Sequence, residues 1–180
     1  MESDIISRCQ RCDKAAFRWV VQNYQRMIFS LALKMLADEE EAKDLVQETF
    51  IRVWKSIKSY DTQKPFSTWL YTIASHLCLN RLKAKKLAAC QPEDIAAFRQ
   101  FASEDDSHRT LENSEWISIV KTLADGLSKK QRLVFTLSHL EGLSPTEIEQ
   151  ITGLDTNQIK SNLYVARQTI RKRLKDLGYE

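Results

Sequence analysis

The sequence predicts an all-α protein with two small helical domains joined by an acidic linker. Only four glycines and three prolines occur in 180 residues, whereas sheet proteins need turn residues about every 8–12 positions. Apolar residues recur at helical spacing before residue 90 and after residue 112, and the stretch between them is acidic and lacks this periodicity. We therefore predict a first domain at 1–89, a linker at 90–112 and a second domain at 113–180.

The first domain is expected to contain three long helices. Residues 14–36 place a single apolar stripe on one helix face, formed by Phe17, Val20, Tyr24, Met27, Ile28, Leu31 and Met35. Asp38 and Glu41 have the spacing of a capping box that opens a second helix. The stripe of that helix comprises Ala42, Leu45, Val46, Thr49, Phe50, Val53 and Ile57. Pro65 interrupts the pattern, and Phe66 opens a third helix that runs into a basic block at residues 81–86.

The linker and the start of the second domain carry weaker signals. Residues 90–112 contain Pro92 and an excess of acidic residues, with a short helix expected near 93–101. Helical periodicity resumes at Trp116 and is carried by Ile117, Val120, Leu123 and Leu127. Ser128 and Gln131 have capping-box spacing, and the apolar stripe that follows comprises Leu133, Val134, Leu137 and Leu140. Gly142 is expected to end this helix.

The most informative segment is a predicted helix-turn-helix at residues 144–175. Ser144, Pro145 and Glu147 provide an N-cap, a first-turn proline and a capping-box glutamate for a short helix. Gly153 suits the left-handed residue that closes it. Asp155 or Thr156 then caps a long helix whose inward residues are Ile159, Leu163, Ala166, Ile170 and Leu174. A short helix, a glycine-containing turn and a longer helix are typical of this DNA-binding motif.

The distribution of charge predicts two surfaces that bind a polyanion. The basic blocks at 81–86 and 156–175 contain no acidic residue. In the final helix, base contacts are expected from Asn157, Lys160, Ser161 and Tyr164, and phosphate contacts from Arg167, Arg171 and Lys172. The alternative is an amphipathic helix with a solvated basic face. Near the first block, Trp54, Phe66, Trp69 and Tyr71 could stack on unpaired bases, or they could fill the core.

Other functional classes receive little support. No apolar run approaches the roughly 18 residues of a transmembrane helix, and the N-terminus lacks the apolar core of a signal peptide, so a cytoplasmic protein is expected. Cys9 and Cys12 have the spacing of half a zinc site without the other half, which favours thiols without a metal. No catalytic motif occurs, so neither an enzyme nor a cofactor is expected. His76, His108 and His139 lie in unrelated segments.

The residues also resemble regions 2 and 4 of the extracytoplasmic-function sigma factors. The resemblance to region 2 rests on residues 44–50 (DLVQETF), Arg52, Trp54 and residues 66–74 (FSTWLYTIA). The resemblance to region 4 rests on residues 127–132 (LSKKQR), 140–144 (LEGLS) and 159–161 (IKS). It extends from about Lys14 to Leu177. It implies a dissociable subunit of bacterial RNA polymerase that directs promoter recognition.

The same resemblance implies three interaction surfaces and a regulator. Core polymerase would be bound through Asp44, Gln47, Glu48, Phe50, Arg52 and Trp54. The −10 promoter element would be melted and held by the segment from Phe66 to Lys86, through Phe66, Trp69, His76, Asn80, Arg81, Lys83 and Lys86. The −35 element would be read by the helix that carries Asn157, Lys160, Ser161, Tyr164, Arg167, Arg171 and Lys172. An anti-sigma protein would cover these surfaces. Asn162 and Val165 stand where the family often carries arginine, which leaves the preferred −35 sequence open.

Two other hypotheses follow from the residues alone. A free transcription regulator would use only the helix-turn-helix, with the N-terminal helices serving for dimerisation or ligand binding. An RNA-binding protein independent of polymerase would hold single strands without promoter sequence. The acidic, aromatic helix at 38–57 separates the first of these from a sigma factor, because only a sigma factor needs that helix for polymerase.

Overall fold

The computed structural model describes residues 2–88, 119, 121–124, 126–176 and 178. Regular secondary structure in these ranges is helical and no strand occurs in them, which confirms the predicted all-α class. The main helices are α1 (Glu2–Gln10), α2 (Lys14–Leu36), α3 (Glu39–Ser56), α4 (Phe66–Ala88), α5 (Lys129–Phe135), α6 (Pro145–Thr152) and α7 (Thr156–Asp176). A 3-10 turn (Ile57–Ser59) follows α3, and a π-helical turn (Thr136–Leu140) follows α5. Within the described segments, no helix combines the length and apolar character needed to cross a bilayer.

Helices α2, α3 and α4 pack around the core of the first domain. Its fully buried side chains include Val20, Ile28, Leu31, Met35, Leu45, Val53 and Leu70. Asp13 begins α2 by accepting hydrogen bonds from two backbone N–H groups of the first turn, at 2.8 and 3.1 Å. Ala37 ends α2 in the left-handed region at φ 51°. Asp38 then caps α3 by accepting from the Glu41 backbone N–H at 3.0 Å, which confirms the Asp38 half of the predicted capping box, whereas the Glu41 carboxylate accepts from Arg81.

Helix α1 adds a fourth helix to the three that periodicity predicted. It packs against α2 and the 3-10 turn. The Gln10 side-chain amide donates to the backbone carbonyls of Ile57 and Tyr60, at 3.1 and 3.0 Å. Cys9 is a buried residue of α1, whereas Cys12 is exposed in the turn that follows the helix, at φ 67°. The two thiols of the Cys9–Cys12 motif therefore lie in different environments.

Both predicted capping boxes of the second domain are present. Ser128 Oγ accepts from the Gln131 backbone N–H at 3.2 Å, and the Gln131 side chain accepts from the Ser128 N–H at 2.9 Å. Ser144 and Glu147 repeat this exchange at 3.3 and 2.8 Å. These reciprocal bonds satisfy N–H groups that a helix N-terminus otherwise leaves without partners.

The helix-turn-helix is also confirmed. Gly153 closes α6 in the left-handed region at φ 69°. Asp155 starts α7, because its carboxylate accepts from the Gln158 backbone N–H at 2.9 Å. The two helices face each other through buried side chains of Ile148, Ile151, Ile159, Leu163 and Ala166. Ile170 and Leu174, which were predicted to lie inward, are half-buried.

The end of α5 departs from the predicted stripe. The Glu141 backbone N–H bonds the carbonyl of Thr136, five residues earlier, at 2.9 Å. This π-helical turn is wider than an α-helical turn and rotates the residues that follow it. Leu133, Val134 and Leu137 are buried as predicted, but Leu140 is 38% exposed. Its predicted core position is therefore wrong.

The two domains touch. Helix α6 packs against α4, and the π-helical turn packs against α2. A groove runs between them, lined by Ser75, His76, Leu79, Leu133, Ile151 and Leu154. The predicted linker, the short helix near 93–101 and the start of the helix at Trp116 lie outside the described residues, while residues 119 and 121–124 are helical.

Candidate polymerase and promoter interfaces

The outward face of α3 is a mixed polar and apolar surface. Asp44, Gln47, Ile51 and Lys55 are exposed at offsets of 3, 7 and 11 residues from Asp44, which places them on one helix face. Ile51 is 55% exposed, unusually so for a large aliphatic side chain within a structured helix. Ile51 is not among the residues that the sequence predicts for this surface, although its position outside the stripe of Leu45, Thr49 and Val53 indicates that it is exposed. Single exposed aliphatic side chains are common on protein surfaces, so Ile51 is of interest because it shares a helix face with Asp44 and Gln47.

The other residues predicted to bind polymerase have different environments. Arg52 is exposed and Glu48 is half-buried, and their side chains pair at 2.8 Å. Phe50 is only 6% exposed and meets the ring of Phe17 edge-on at 6.3 Å between centroids. Trp54 is half-buried, with its ring centroid 4.8 Å from that of Phe17. In this conformation Phe50 supports α3 from the core, whereas Asp44, Gln47 and Arg52 are accessible to a partner.

Helix α4 presents a second polar face. Trp69, His76, Asn80 and Lys83 follow one another at offsets of 7, 11 and 14 residues from Trp69, so they share one side of the helix. Trp69 is half-buried, and the other three are exposed. Lys86 is also exposed at the basic end of α4. An aromatic side chain followed by polar and cationic ones can stack on a base and neutralise the backbone of a single strand.

Phe66 lies apart from this face. It is 4% exposed and packs in an aromatic cluster with Tyr24, Tyr60 and Trp69, at centroid distances of 5.4, 5.2 and 5.6 Å. Core packing was the alternative that sequence analysis left open for this aromatic group. For Phe66 the structure favours core packing. Trp69 is half-buried at the edge of the cluster, so it packs against the core and also has a surface on which a base could stack.

Arg81 also lies away from the polar face of α4. Its Nη1 atom donates to the Glu41 carbonyl at 3.0 Å and to the Glu41 carboxylate at 3.1 Å, and its Nη2 atom lies 3.3 Å from the Glu48 carboxylate. Lys85 Nζ approaches the same Glu41 carboxylate at 3.7 Å. The Arg81 side chain therefore fastens α4 to α3 and is not directed towards solvent with Asn80 and Lys83.

The N-terminal half of α7 is the third surface. Asn157, Lys160, Ser161 and Tyr164 are all exposed, and Tyr164 is 64% exposed. Val165 is 40% exposed beside them, whereas the Asn162 amide donates to the Gln158 carbonyl of its own helix at 2.8 Å. The basic residues predicted to contact phosphates, Arg167, Arg171 and Lys172, are exposed further along the helix. A capped helix with short polar side chains at its start and cations behind them can enter a major groove.

His139 contacts this surface from the π-helical turn. Arg167 Nε donates to His139 Nε2 at 3.2 Å, and the ring of Phe135 meets the imidazole edge-on at 4.9 Å. Burial, and then the charge of Arg167, lowers the pKa of His139. A neutral imidazole can accept this bond, so His139 orients Arg167. The sequence alone gives no sign of this pairing, because 28 residues separate His139 from Arg167.

Comparison with known proteins gives this arrangement a family. Residues 20–87 match Sigma-70 region 2, and residues 118–170 match Sigma-70, region 4. The ECF RNA polymerase sigma factor SigW of Bacillus subtilis (strain 168) is 32% identical over 184 residues, which cover 96% of this chain and 96% of SigW. The RNA polymerase sigma-H factor of Pseudomonas aeruginosa is 28% identical, and the match covers 98% of this chain and 95% of the sigma-H chain.

Two solved structures share the fold. The structure of CnrH in complex with the cytosolic domain of CnrY has a TM-score of 0.71 and 20% identity, and the match covers 97% of both chains. Sigma factor RpoE in complex with the anti-sigma factor NepR from Bartonella quintana has a TM-score of 0.66 and 22% identity, over 88% of this chain and 96% of its own. Because both regions occur in order and the likeness to SigW spans nearly the whole chain, this protein belongs to the extracytoplasmic-function sigma factors, non-enzymatic subunits that direct bacterial RNA polymerase to promoters.

Proposed function

We propose that three separate surfaces carry out the sigma function. The outward face of α3 binds core RNA polymerase, the polar face of α4 holds the −10 element, and the N-terminal half of α7 reads the −35 element. The observation that carries the role in promoter recognition is the capped helix-turn-helix, whose α7 exposes polar and basic side chains while its apolar side chains are buried. That division of side chains is what major-groove recognition requires.

The polymerase surface consists of Asp44, Gln47, Ile51 and Arg52. A few well-packed residues near the centre of an interface, shielded from water by their neighbours, supply most of its binding free energy, and Ile51 lies between Gln47 and Lys55 on this face. Phe50 and Trp54 contribute indirectly, because both pack against Phe17 and hold α3 in place. Replacing Asp44 and Gln47 together with alanine should abolish polymerase binding and leave duplex DNA binding by the second domain intact. Unchanged polymerase binding would contradict the assignment of this surface.

The −10 surface consists of Trp69, His76, Asn80, Lys83 and Lys86. Stacking and phosphate neutralisation would hold the non-template strand once it is unpaired. Residues 81–86 contain four basic side chains and no acidic one. Arg81 and Lys85 approach carboxylates of α3, whereas Lys83 and Lys86 are exposed, which supports a polyanion as the ligand of this face. The segment that carries these residues belongs to the first domain, for which we propose the boundaries 1–89.

The second domain, with proposed boundaries 113–180, reads the −35 element. The matches at 20–87 and 118–170 fall on either side of the proposed linker at 90–112 and support this division. Because polymerase and chromosomal DNA are its partners, we place the protein in the cytoplasm. We also propose an anti-sigma regulator, since the related RpoE was solved with the anti-sigma factor NepR.

Run-off transcription tests the function directly. Purified core polymerase should produce specific transcripts from a promoter library only when this protein is added. The sequences of the selected promoters would define both promoter elements at once. Duplex binding by the protein alone, without any transcript, would instead indicate a free regulator, and binding to single strands without promoter sequence would indicate an RNA-binding protein.

A further inference from the structure

One buried carboxylate joins the two domains. Glu141 follows the π-helical turn of the second domain, and its side chain is 8% exposed. Its Oε1 atom lies 2.7 Å from Lys34 Nζ and accepts from Ser30 Oγ at 2.9 Å, and its Oε2 atom accepts from the Tyr71 hydroxyl at 2.8 Å. All three partners belong to the first domain, two from α2 and one from α4. Both carboxylate oxygens are thus held by the opposite domain.

Neighbouring bonds reinforce this contact from both sides. Lys34 Nζ also donates to the Leu140 carbonyl at 3.1 Å. Arg132 of α5 donates in return to the Lys34 carbonyl, near the end of α2, at 3.1 Å. Burial, and then the Glu141 carboxylate, raises the pKa of Tyr71, so the phenol stays protonated and continues to donate. The contact therefore fixes one orientation of the domains by directional polar bonds.

This closed arrangement does not fit a promoter. Helix α4 packs on α6, and α6 packs on α7. Two packed helix pairs at about 8–10 Å each place the axes of α4 and α7 at most about 20 Å apart. The −10 and −35 positions differ by about 25 base pairs, or about 85 Å of straight duplex at about 3.4 Å per base pair. Both promoter elements can be bound together only after the domains separate.

We propose that Glu141 is an interdomain latch that keeps the free sigma factor closed and unable to bind both promoter elements at once. The proposal rests on the assignment of the −10 element to α4 and the −35 element to α7. Polymerase opens the latch by binding the separated domains, because a partner selects the conformation for which it has higher affinity.

A buried ion pair suits a contact that must open. Its attraction is largely offset by the cost of removing both charges from water, so the pair specifies geometry with little net stability. When the domains part, Glu141 and Lys34 regain their hydration. Ser75 Oγ, which is buried at the same groove and has no hydrogen-bond partner among the described residues, also regains access to water. Both effects lower the cost of opening.

The test uses the full-length protein with Lys34→Glu, Glu141→Lys and the combined variant. Each single change places like charges together and should open the chain, and the combined change restores the pair with its signs exchanged. Small-angle X-ray scattering should give a larger radius of gyration for both single variants and near wild-type values for the combined variant. Asp4→Asn, an exposed charge change on α1, is the matched control. Circular dichroism identifies any variant that fails to fold, and Tyr71→Phe then provides a milder opening change.

Function is measured as the concentration of sigma factor that gives half-maximal run-off transcription. Opening removes the free-energy cost of separating the domains, so the single variants should need several-fold less protein than wild type. An unchanged radius of gyration in both single variants would overturn the latch. Expanded variants that need as much protein as wild type, or more, would overturn its inhibitory role. If wild type itself gave no promoter-specific transcript, the proposed function would fail instead, while the scattering would still report whether Glu141 closes the chain.

Discussion

On α3 and α4, residues that stabilise the fold are direct sequence neighbours of exposed residues that are available to bind a partner. Phe50 is buried and its neighbour Ile51 is exposed, so adjacent residues of the same helix belong to the core and to the surface of the domain. Asn80 and Arg81 make a similar pair, because Asn80 is exposed and Arg81 is bonded to Glu41 and Glu48. Substitutions at these four positions should therefore separate losses of stability from losses of binding.

Ile51→Ala should weaken binding to core polymerase without unfolding the protein. Truncation of an interface side chain that contributes to affinity costs about 1–2 kcal/mol of binding free energy, which is roughly a 5- to 30-fold loss of affinity. An exposed position should change the free energy of unfolding by no more than about 0.5 kcal/mol. Binding is measured by titration of labelled protein with core polymerase, with the exposed Gln22→Ala of α2 as control. Equal affinities of the two variants would remove Ile51 from the polymerase surface.

Arg81→Ala and Lys83→Ala should have opposite signatures. Loss of charged hydrogen bonds that fasten α4 to α3 should lower the free energy of unfolding of Arg81→Ala by about 1–3 kcal/mol. Lys83 is exposed, so its replacement should leave stability unchanged and weaken binding of a single-stranded −10 oligonucleotide by the holoenzyme. Urea denaturation and fluorescence anisotropy measure the two properties. If Arg81→Ala were as stable as Lys83→Ala, the ion pairs with α3 would not hold α4 in place.

At the scale of helices, the caps set where each helix begins, and so which face it presents. The boxes at Ser128 and Ser144 fix the first turns of α5 and α6. Asp155 fixes the first turn of α7, from which Asn157 and Lys160 project. A shift in any of these starts would rotate the reading surface away from the groove.

Ser144→Ala should lower the free energy of unfolding by about 1 kcal/mol through loss of the cap. The Ser144 hydroxyl, and then its backbone N–H, lower the pKa of Glu147. Because this folded-state pKa lies below the unfolded value, the stability it contributes is present above the unfolded pKa and is lost as pH falls through the folded pKa. The difference between Ser144→Ala and wild type should therefore narrow in acid. Thermal unfolding of both proteins, from neutral pH down into the acidic range where Glu147 becomes protonated, measures this difference in stability. Thr146→Ala, at an exposed position of the same turn, is the control.

Lys160→Ala and Lys172→Ala should affect DNA recognition differently. Lys160 lies in the first turns of α7, where a base edge can be reached, so its loss should change preference at one base pair by about 1–3 kcal/mol. Lys172 lies three turns later, and its loss should weaken all −35 duplexes equally and reduce the salt dependence of binding. Affinities for a panel of single-substituted duplexes at two salt concentrations distinguish these outcomes. Identical profiles for the two variants would show that the division between base and phosphate contacts is wrong.

At the scale of the whole molecule, the two domains meet through the polar contact of Glu141 and through the packing of α4 on α6, where polar and apolar side chains line a groove. Interfaces between domains of one chain are usually more polar than permanent interfaces, and such domains are expected to move relative to each other. Glu141, Lys34 and Tyr71 provide a contact of this kind. Free and polymerase-bound states can then differ in the distance between the domains. The latch variants therefore test the separation of the two domains, which cannot be studied in either domain by itself.

The sequence by itself determined the all-α class, the capping boxes, the helix-turn-helix and the resemblance to the sigma factors. Each of these depends on residues within about one helix turn of one another, or on short motifs in a fixed order. Caps at Ser128, Ser144 and Gly153 were predictable for that reason, as was the inward stripe of α7 from Ile159 to Ala166.

Only the tertiary structure decided which candidate side chains reach solvent and how the domains meet. Phe66 fits a core stripe and a stacking surface equally well by periodicity, and its burial depends on Tyr24 and Tyr60. The basic block around Arg81 predicts a DNA contact, whereas in the structure its guanidinium bonds Glu48 of α3, which lies 33 residues away in sequence. Glu141 and Lys34 are 107 residues apart in sequence. The π-helical turn that precedes Glu141 cannot be predicted from the spacing of apolar residues. Pairing over such separations follows from packing of helices, which no local pattern encodes.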